Sequence, residues 1–293
     1  MPLAGSFRGN FYKMDKDSAK FKKEKLVHHL KGLNSLLVAF SGGVDSTFLL
    51  AMAHEALGQN LLAVTADSVI HAVRETESAR DFAREKGIRH IVVRPDELSI
   101  PDFVSNTSER CYHCKRDLFK LLFEIAGKEG IKHVAHGANV DDLKDFRPGF
   151  RAAGKMGVMA PLVDVQLGKE EIRLLSKEMG LGTWDKPAMA CLASRIPYGD
   201  LITEKKLNMV GEAETFLANN GFSQFRVRHH GSVARIEVEP SEIEKLTATN
   251  LRQRLVDKFR QIGFLHVAFD LEGYVSGSMN RAIGDVRKEG TSE

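Results

Sequence analysis

Cysteine, tryptophan and net charge are all low in this sequence. Its 293 residues include three cysteines and one tryptophan, and the formal net charge is +3. An odd number of cysteines argues against a disulfide framework, and a charge this small gives no bulk attraction to nucleic acid. No apolar run has the length of a membrane span, and the N-terminus lacks the apolar core of a signal peptide. We therefore expect a cytoplasmic protein with neither membrane nor nucleic-acid partners.

The composition is that of an ordinary globular protein, with 43% hydrophobic and 28% charged residues. This length suits two domains, and the core needs no disulfide bonds. A composition shift after an irregular stretch at 184–199 marks the boundary between them. We predict an N-terminal arm (1–16), a main domain (17–200), a smaller C-terminal domain (201–275) that binds substrate or forms oligomers, and a flexible tail (276–293).

Apolar runs alternate with helical patterns through the first half of the chain. Strands are predicted at 36–40, 61–66, 90–94 and 133–136, with helices between them that stop at glycines such as Gly58 and Gly87. This alternation predicts a doubly wound parallel sheet of the α/β class, in which ligands bind beyond the carboxyl ends of the strands. After residue 200 the pattern changes and predicts a small α+β domain.

The first strand runs into a small-residue turn and then a helix. This segment is Ser41-Gly42-Gly43-Val44-Asp45-Ser46. The glycines let backbone approach an anion, the helix start supplies free N–H groups, and the serines add hydroxyls. A carboxylate at Asp45 would repel phosphates unless a divalent cation lay between them, so it implies Mg²⁺. The alternative is an ordinary tight turn.

No lysine lies in this turn, which distinguishes it from the common nucleotide P-loop. The segment resembles the PP-loop of the ATP pyrophosphatases, which cleave ATP between its α- and β-phosphates. That resemblance assigns ATP binding to Ser41 through Ser46 and makes 17–200 a PP-loop domain.

Two further loops leave predicted strands at the same edge of the sheet. Thr65 and Asp67 end the second strand and are candidates for adenosine recognition, with helix capping as the alternative for this segment. Gly137 follows the fourth strand, begins an acidic loop and is a further candidate for ATP binding. Asp141, Asp142 and Asp145 in this loop could reach Mg²⁺ or ribose hydroxyls, and Asp141 is our candidate for Mg²⁺; turn chemistry is the alternative.

The three cysteines fall in segments that we place at this edge. Cys111 and Cys114 form a Cys-x-x-Cys pair at a helix start, and Cys191 lies in the irregular stretch. Three thiolates suit an iron–sulfur cluster with one iron left open. The alternatives are a zinc site with His71 or His136 as the fourth ligand, a redox dithiol whose pKa is lowered at the helix N-terminus, and inert buried thiols.

Taken together, these motifs resemble the LarE family of ATP-dependent sulfurtransferases, and the resemblance covers nearly the whole chain. Its most specific part is the run from Cys191 to Gly199. It implies adenylylation of pyridinium-3,5-biscarboxylic acid mononucleotide, followed by replacement of oxygen with sulfur, in the biosynthesis of the nickel-pincer nucleotide cofactor. With three cysteines, the sequence resembles those family members that carry a [4Fe-4S] cluster with a transferable sulfide. That resemblance implies that Cys191 is a ligand rather than the sulfur donor.

The resemblance also implies which residues bind the phosphate of the substrate: Ser194, Arg195, Arg226 and Arg228. Arg226 and Arg228 alternate along a predicted strand and share one face, which suits a phosphate clamp; the alternative is a solvent-facing charged strand. Glu214 and Glu237 are weaker candidates for an auxiliary metal site. The resemblance further implies a homo-oligomer, such as a hexamer, and a partner that donates sulfide.

Three rival functions remain open from the sequence. A tRNA-thiolating PP-loop enzyme would also use three cysteines and a cluster. An ammonia-using PP-loop ligase would have no use for the cysteines. A nucleotide-binding module with structural zinc would release no pyrophosphate.

Overall fold

Four parallel strands form the main sheet, in the order β3-β2-β1-β4. They are β1 (Leu36–Ala39), β2 (Leu61–Ala66), β3 (Arg89–Val93) and β4 (Val134–His136). The structure, a computed structural model, describes residues 16–71, 73–144, 148–187, 190–275, 277–278 and 281. Residues 1–15 of the predicted arm, most of the predicted tail and Asp145 lie outside the described residues.

Helices connect and cover these strands. They are α1 (Lys16–Lys31), α2 (Val44–Leu57), α3 (Val73–Glu85), α4 (Pro101–Val104), α5 (Arg110–Lys128), α6 (Pro148–Met156), α7 (Pro161–Asp164) and α8 (Lys169–Glu178). Across the described part of the chain, no helix combines the length and apolar character that crossing a bilayer requires.

Successive side chains of each strand point to opposite faces of the sheet, and helices bury both faces. On one face, Leu36 and Val38 join an apolar cluster with residues of α1, α2, α3 and α8. On the other, Leu37 and Val134 join a second cluster with residues of α5 and α6. A strand buried on both sides reads as a continuous apolar run, which is why the predicted strands are correct. The doubly wound parallel sheet is confirmed.

The segment after β4 differs from its predicted form as a long loop. It contains a short 3-10 helix (Val140–Lys144), and α6 begins within it at Pro148. Proline suits the first turn of a helix because its missing N–H has no partner there in any case. The short helices α4 and α7 also begin at prolines and were not predicted.

A smaller unit follows, with the mixed sheet β5-β6-β7. Its elements are α9 (Glu204–Asn219), β5 (Phe225–His230), β6 (Val233–Val238), α10 (Ile243–Thr247), α11 (Thr249–Ile262) and β7 (His266–Phe269). Strands β5 and β6 are antiparallel, and β7 pairs with β6 in parallel. Helices α9 and α11 share one apolar cluster with this sheet, so the predicted small mixed α/β unit is present.

A separate apolar cluster joins the two units. Ile70 and Phe103 from the first unit pack with Leu207 and Val210 of α9, and Leu192 from the connecting segment belongs to the same cluster. The predicted boundary near residue 200 therefore stays a prediction, because residues on both sides of it share one buried cluster.

The end of β4 approaches the start of α2 very closely at Gly137. A Cβ atom there would lie 2.7 Å from the backbone nitrogen of Ser46 and 2.8 Å from its Cα. Since both atoms belong to backbone, no side-chain rotation could relieve the contact. Glycine at this position lets β4 and the β1–α2 loop lie side by side.

We expect the Gly137→Ala substitution to lower the free energy of unfolding by about 1–3 kcal/mol, the usual range for overpacking a rigid site. The measurement is equilibrium urea denaturation followed by circular dichroism. Gly154→Ala in α6 is the matched control, because a Cβ there would meet nothing within 4 Å. Equal stability of the two variants would contradict the close approach at Gly137.

Candidate functional site

The loop between β1 and α2 is closed by its own serines. Ser41 Oγ lies 3.0 Å from Ser46 Oγ, and Ser46 Oγ donates to the Gly43 carbonyl at 3.2 Å. Gly42 has a φ angle of +69°, and a Cβ there would lie 3.3 Å from Cβ of Ala79. Glycine is favoured at this backbone conformation and in this space. The loop thus ends at the N-terminus of α2, where free backbone N–H groups can bind an anion.

Val44 and Asp45 are the first residues of α2, and the Asp45 carboxylate is held at both oxygens. Its Oδ2 accepts a hydrogen bond from Lys169 Nζ at 2.6 Å, and its Oδ1 accepts one from Asn139 Nδ2 at 3.2 Å. The ammonium balances the charge of the carboxylate, while the amide orients it. Asp45 therefore lies at the loop, as predicted, but with a lysine beside it.

The acidic loop after β4 makes local hydrogen bonds. Asp141 Oδ2 accepts from the Lys169 backbone N–H at 2.8 Å, and the Asp141 N–H donates to Asn139 Oδ1 at 2.9 Å. Asp142 Oδ2 accepts from the Asn139 N–H at 3.0 Å. These are the turn and capping contacts that formed the alternative prediction. Magnesium binding by Asp141 stays a prediction.

A second lysine reaches the loop from the irregular segment. Lys186 Nζ donates to the Gly42 carbonyl at 3.0 Å. The segment is held from α8, because the Arg173 guanidinium donates to the carbonyls of Trp184 and Lys186 at 2.8 and 2.9 Å. This places the predicted active-site segment against the β1–α2 loop.

No sequence motif indicated Lys169, Lys186 or Asn139 as a site residue. Lys169 is the first residue of α8, 124 positions from Asp45, and no local pattern indicates their contact. Lys186 could have been chosen, because it precedes a proline in a segment already predicted to be an active-site loop. Asn139 lies in the acidic loop, where the neighbouring carboxylates are the stronger signal for a metal site.

Thr65 and Asp67 lie at the predicted edge of the sheet. The buried Thr65 hydroxyl donates to the Phe40 carbonyl at 2.7 Å and lies 2.8 Å from His90 Nε2. Asp67 Oδ1 accepts a hydrogen bond from the Thr76 hydroxyl at 3.3 Å. Both side chains hold neighbouring elements together, and adenosine recognition by them stays a prediction.

The three cysteines lie close enough to influence one another's ionisation. Cys111 and Cys114 occupy the first turn of α5, and Cys114 and Cys191 pack against the same apolar cluster. Burial, and then Cys191, raise the pKa of Cys111. Burial raises the pKa of Cys114 to about 12, although Lys115 opposes this. Neither shift is the lowered pKa that a redox dithiol would need, and the redox dithiol stays a prediction.

Raised pKa values mean that these thiols keep their protons unless a positive charge lies among them. A metal centre would supply that charge, and three cysteines on two elements suit a cluster with one open iron. Burial, and then Lys115, lower the pKa of His71 and of His136 to about 4, so both imidazoles are neutral. In the part of the chain that the structure describes, no three Cys, His, Asp or Glu residues are already arranged around a metal position.

Arg195 is 1% exposed, and all three nitrogens of its guanidinium group donate hydrogen bonds to protein oxygens. Its Nε and one terminal nitrogen donate to the Glu214 carboxylate at 2.8 and 3.0 Å. The other terminal nitrogen donates to the Ala190 and Cys191 carbonyls and to Ser194 Oγ. Arg195 therefore fastens the Cys191 segment onto α9, and its predicted contact with a substrate phosphate stays a prediction.

Arg226 and Arg228 on β5 are also buried, at 6% and 5% exposure, so the alternative of a solvent-facing strand is wrong. Arg228 forms two hydrogen bonds to Glu237 and donates to the Ser194 carbonyl at 3.1 Å. Burial, and then repulsion from Arg195, lower the pKa of Arg226 to about 10. These side chains create a buried positive region beside Ser194, in which Glu214 and Glu237 serve as arginine partners.

Comparison with known proteins agrees with this geometry. Residues 14–144 match the family model of the PP-loop domain. An uncharacterized protein of Synechocystis is 43% identical over 89% of this chain and 98% of its own length. A protein of Methanocaldococcus jannaschii, also uncharacterized, is 29% identical over 88% of this chain and 93% of its own length.

A third relative carries a functional name. The pyridinium-3,5-bisthiocarboxylic acid mononucleotide synthase of Lactiplantibacillus plantarum is 36% identical over 89% of this chain and 95% of its own length. The match covers 263 residues, so it extends well beyond the residues matched by the PP-loop domain model. The chain belongs to the family of pyridinium-3,5-bisthiocarboxylic acid mononucleotide synthases, the LarE family, which is built on a PP-loop domain.

Proposed function

We propose that this protein is an ATP-dependent sulfurtransferase that converts pyridinium-3,5-biscarboxylic acid mononucleotide to its thiocarboxylate form, for nickel-pincer nucleotide cofactor biosynthesis. One observation carries the proposal: the β1–α2 loop and the segment that bears Cys191 lie together, with Lys186 of that segment 3.0 Å from the Gly42 carbonyl. This contact supports a proposal in which the ATP-activating loop adjoins the segment that carries a sulfur ligand.

The first half of the reaction uses the β1–α2 loop. A carboxylate oxygen of the substrate attacks the α-phosphorus of ATP, the bond to the β-phosphate oxygen breaks, and pyrophosphate leaves. The N-terminus of α2 and the serine hydroxyls bind the phosphates, Asp45 would hold Mg²⁺, and Lys169 and Lys186 add positive charge. Preorganised charge of this kind is usually the largest catalytic contribution.

The second half places sulfur on the activated carbon. A sulfide attacks the acyl carbon of the adenylate, the carbon–oxygen bond to AMP breaks, and AMP leaves with the electron pair of that bond. Cys111, Cys114 and Cys191 would hold a [4Fe-4S] cluster, whose open iron supplies a site for the sulfide. Arg195 keeps Cys191 in position through the Ala190 and Cys191 carbonyls.

The substrate phosphate would bind in the positive region beside Ser194. Arg226 and Arg228 provide buried guanidinium groups there, and such groups bind phosphate with geometric specificity. The substrate would then span from β5 to the β1–α2 loop. The proposal also includes a cytoplasmic homo-oligomer and a separate sulfide donor, both implied by family resemblance.

The proposal predicts that the protein forms AMP and pyrophosphate when given MgATP and the biscarboxylic mononucleotide. Asp45→Asn should lower kcat/KM for ATP by about a hundredfold or more, because the carboxylate charge that holds Mg²⁺ is lost. Asp81→Asn is the matched control, because Asp81 is an exposed residue of α3 that pairs with Arg84. Pyrophosphate release that requires tRNA and ignores the mononucleotide would favour the tRNA-thiolating alternative.

Anaerobic purification should yield protein with bound iron and sulfide. Serine at Cys111, Cys114 or Cys191 should remove most of both, because each substitution removes a thiolate ligand. His71→Ala and His136→Ala are the controls and should keep their iron, as measured by elemental analysis and visible absorption. Zinc that is lost on either histidine substitution would support a zinc site instead.

Arg226→Gln should raise KM for the mononucleotide by about ten- to a hundredfold, because the variant loses a charged hydrogen bond to the substrate phosphate. The same variant should treat the dephosphorylated substrate as the wild type does. Arg235→Gln on the adjacent strand is the control, since Arg235 pairs with Glu237 and Asp270. A phosphate preference that survives in Arg226→Gln would remove this residue from the phosphate site.

A further inference from the structure

The Asp45 carboxylate faces a conflict between two positive partners. Lys169 Nζ lies 2.6 Å from Asp45 Oδ2 in a partly buried ion pair. Under the proposed function, the same carboxylate binds Mg²⁺ when ATP arrives. A divalent cation and an ammonium group repel each other, so they compete for one carboxylate oxygen at bonding distance.

The backbone of Lys169 is fixed while its side chain can rotate. The Lys169 N–H donates to Asp141 Oδ2 at 2.8 Å. The preceding Gly168 N–H donates to Glu171 Oε2 at 2.9 Å, and Glu171 in turn pairs with Lys22 at 2.7 Å. These contacts hold the first turn of α8, but the four-carbon stem of lysine leaves its ammonium free to move by several rotatable bonds.

Asp45 would keep its orientation if the ammonium left. Asn139 Nδ2 donates to Asp45 Oδ1, the oxygen that Lys169 does not contact. Because an amide carries no net charge, a cation at Oδ2 does not repel it. The carboxylate is thus held in place for a cation at Oδ2, the oxygen that the Lys169 ammonium contacts.

We propose that Lys169 is a positioning residue that neutralises Asp45 until metal and nucleotide bind, and then moves its ammonium to the phosphates. This rests on the proposed function, because it takes Asp45 as the Mg²⁺ ligand. Before binding, the lysine removes the repulsion between Asp45 and the incoming phosphates. After binding, the displaced ammonium lies beside the leaving pyrophosphate, whose charge it can offset.

The first experiment measures Mn²⁺ binding to the nucleotide-free holoprotein by electron paramagnetic resonance. Lys169→Met should bind Mn²⁺ about tenfold more tightly than wild type, because the competing ion pair is gone. Lys258→Met is the matched control and should bind Mn²⁺ as wild type does, because Lys258 of α11 pairs with Glu212 of α9, at 3.5 Å, and not with Asp45. Asp45→Asn with and without Lys169→Met should bind alike.

The second experiment measures ATP binding in excess chelator by equilibrium dialysis. Lys169→Met should bind metal-free ATP about tenfold more weakly, since the Asp45 charge is then uncompensated, and Lys169→Arg should restore most of the affinity. Thermal melting of each variant checks that it folds.

Unchanged Mn²⁺ affinity in Lys169→Met, or an equal gain in the Asp45→Asn background, would overturn the proposal. Failure of the proposed function would be visible separately, as absence of substrate-dependent pyrophosphate release by the wild-type protein.

Discussion

Parallel pairing of β1 with both β2 and β4 is the constraint on which the rest of the structure depends. Because the strands run the same way, every loop that leaves a carboxyl end opens at one edge of the sheet. From β1 the chain adds β2 and then β3 on one side, and it later places β4 on the other side of β1. Such a reversal of strand order opens a crevice between the loops that follow β1 and β4. Gly137 after β4 allows that crevice to stay narrow enough for Asn139 to reach Asp45. The nucleotide site follows from strand order before any side chain is considered.

Charge is arranged differently at the two ends of the site. Near the β1–α2 loop, lysines meet Asp45 and the Gly42 carbonyl, and their flexible stems suit ligands that come and go. Near β5, buried arginines make two-point contacts, Arg195 with Glu214 and Arg228 with Glu237. Removing one partner of such a pair would leave a buried charge uncompensated, which is strongly unfavourable. The arginine end is therefore rigid and holds the segment that bears Cys191.

The cysteine region is tied to the junction between the two units of the fold. Cys114 and Cys191 pack with the apolar residues that join the two units of the fold, so the position of each sulfur is tied to that junction. Burial raises the pKa of Cys111 and Cys114, which disfavours bare thiolates there. Such an environment is poor for a free nucleophilic thiol.

The sequence by itself determined the elements whose signals are local. The apolar runs of β1 and β2, the glycine-rich turn before α2 and the helix-terminating glycines depend on neighbouring residues, so the parallel sheet and the Ser41 to Ser46 loop could be predicted. The short helices α4, α6 and α7 could not, because each has few residues and is fixed by packing. Only the tertiary structure decided that Lys169 lies against Asp45, that Lys186 reaches Gly42 and that Arg226 is buried. Those contacts join residues far apart in the chain, and charge alone does not say whether a side chain faces water, a partner or a ligand.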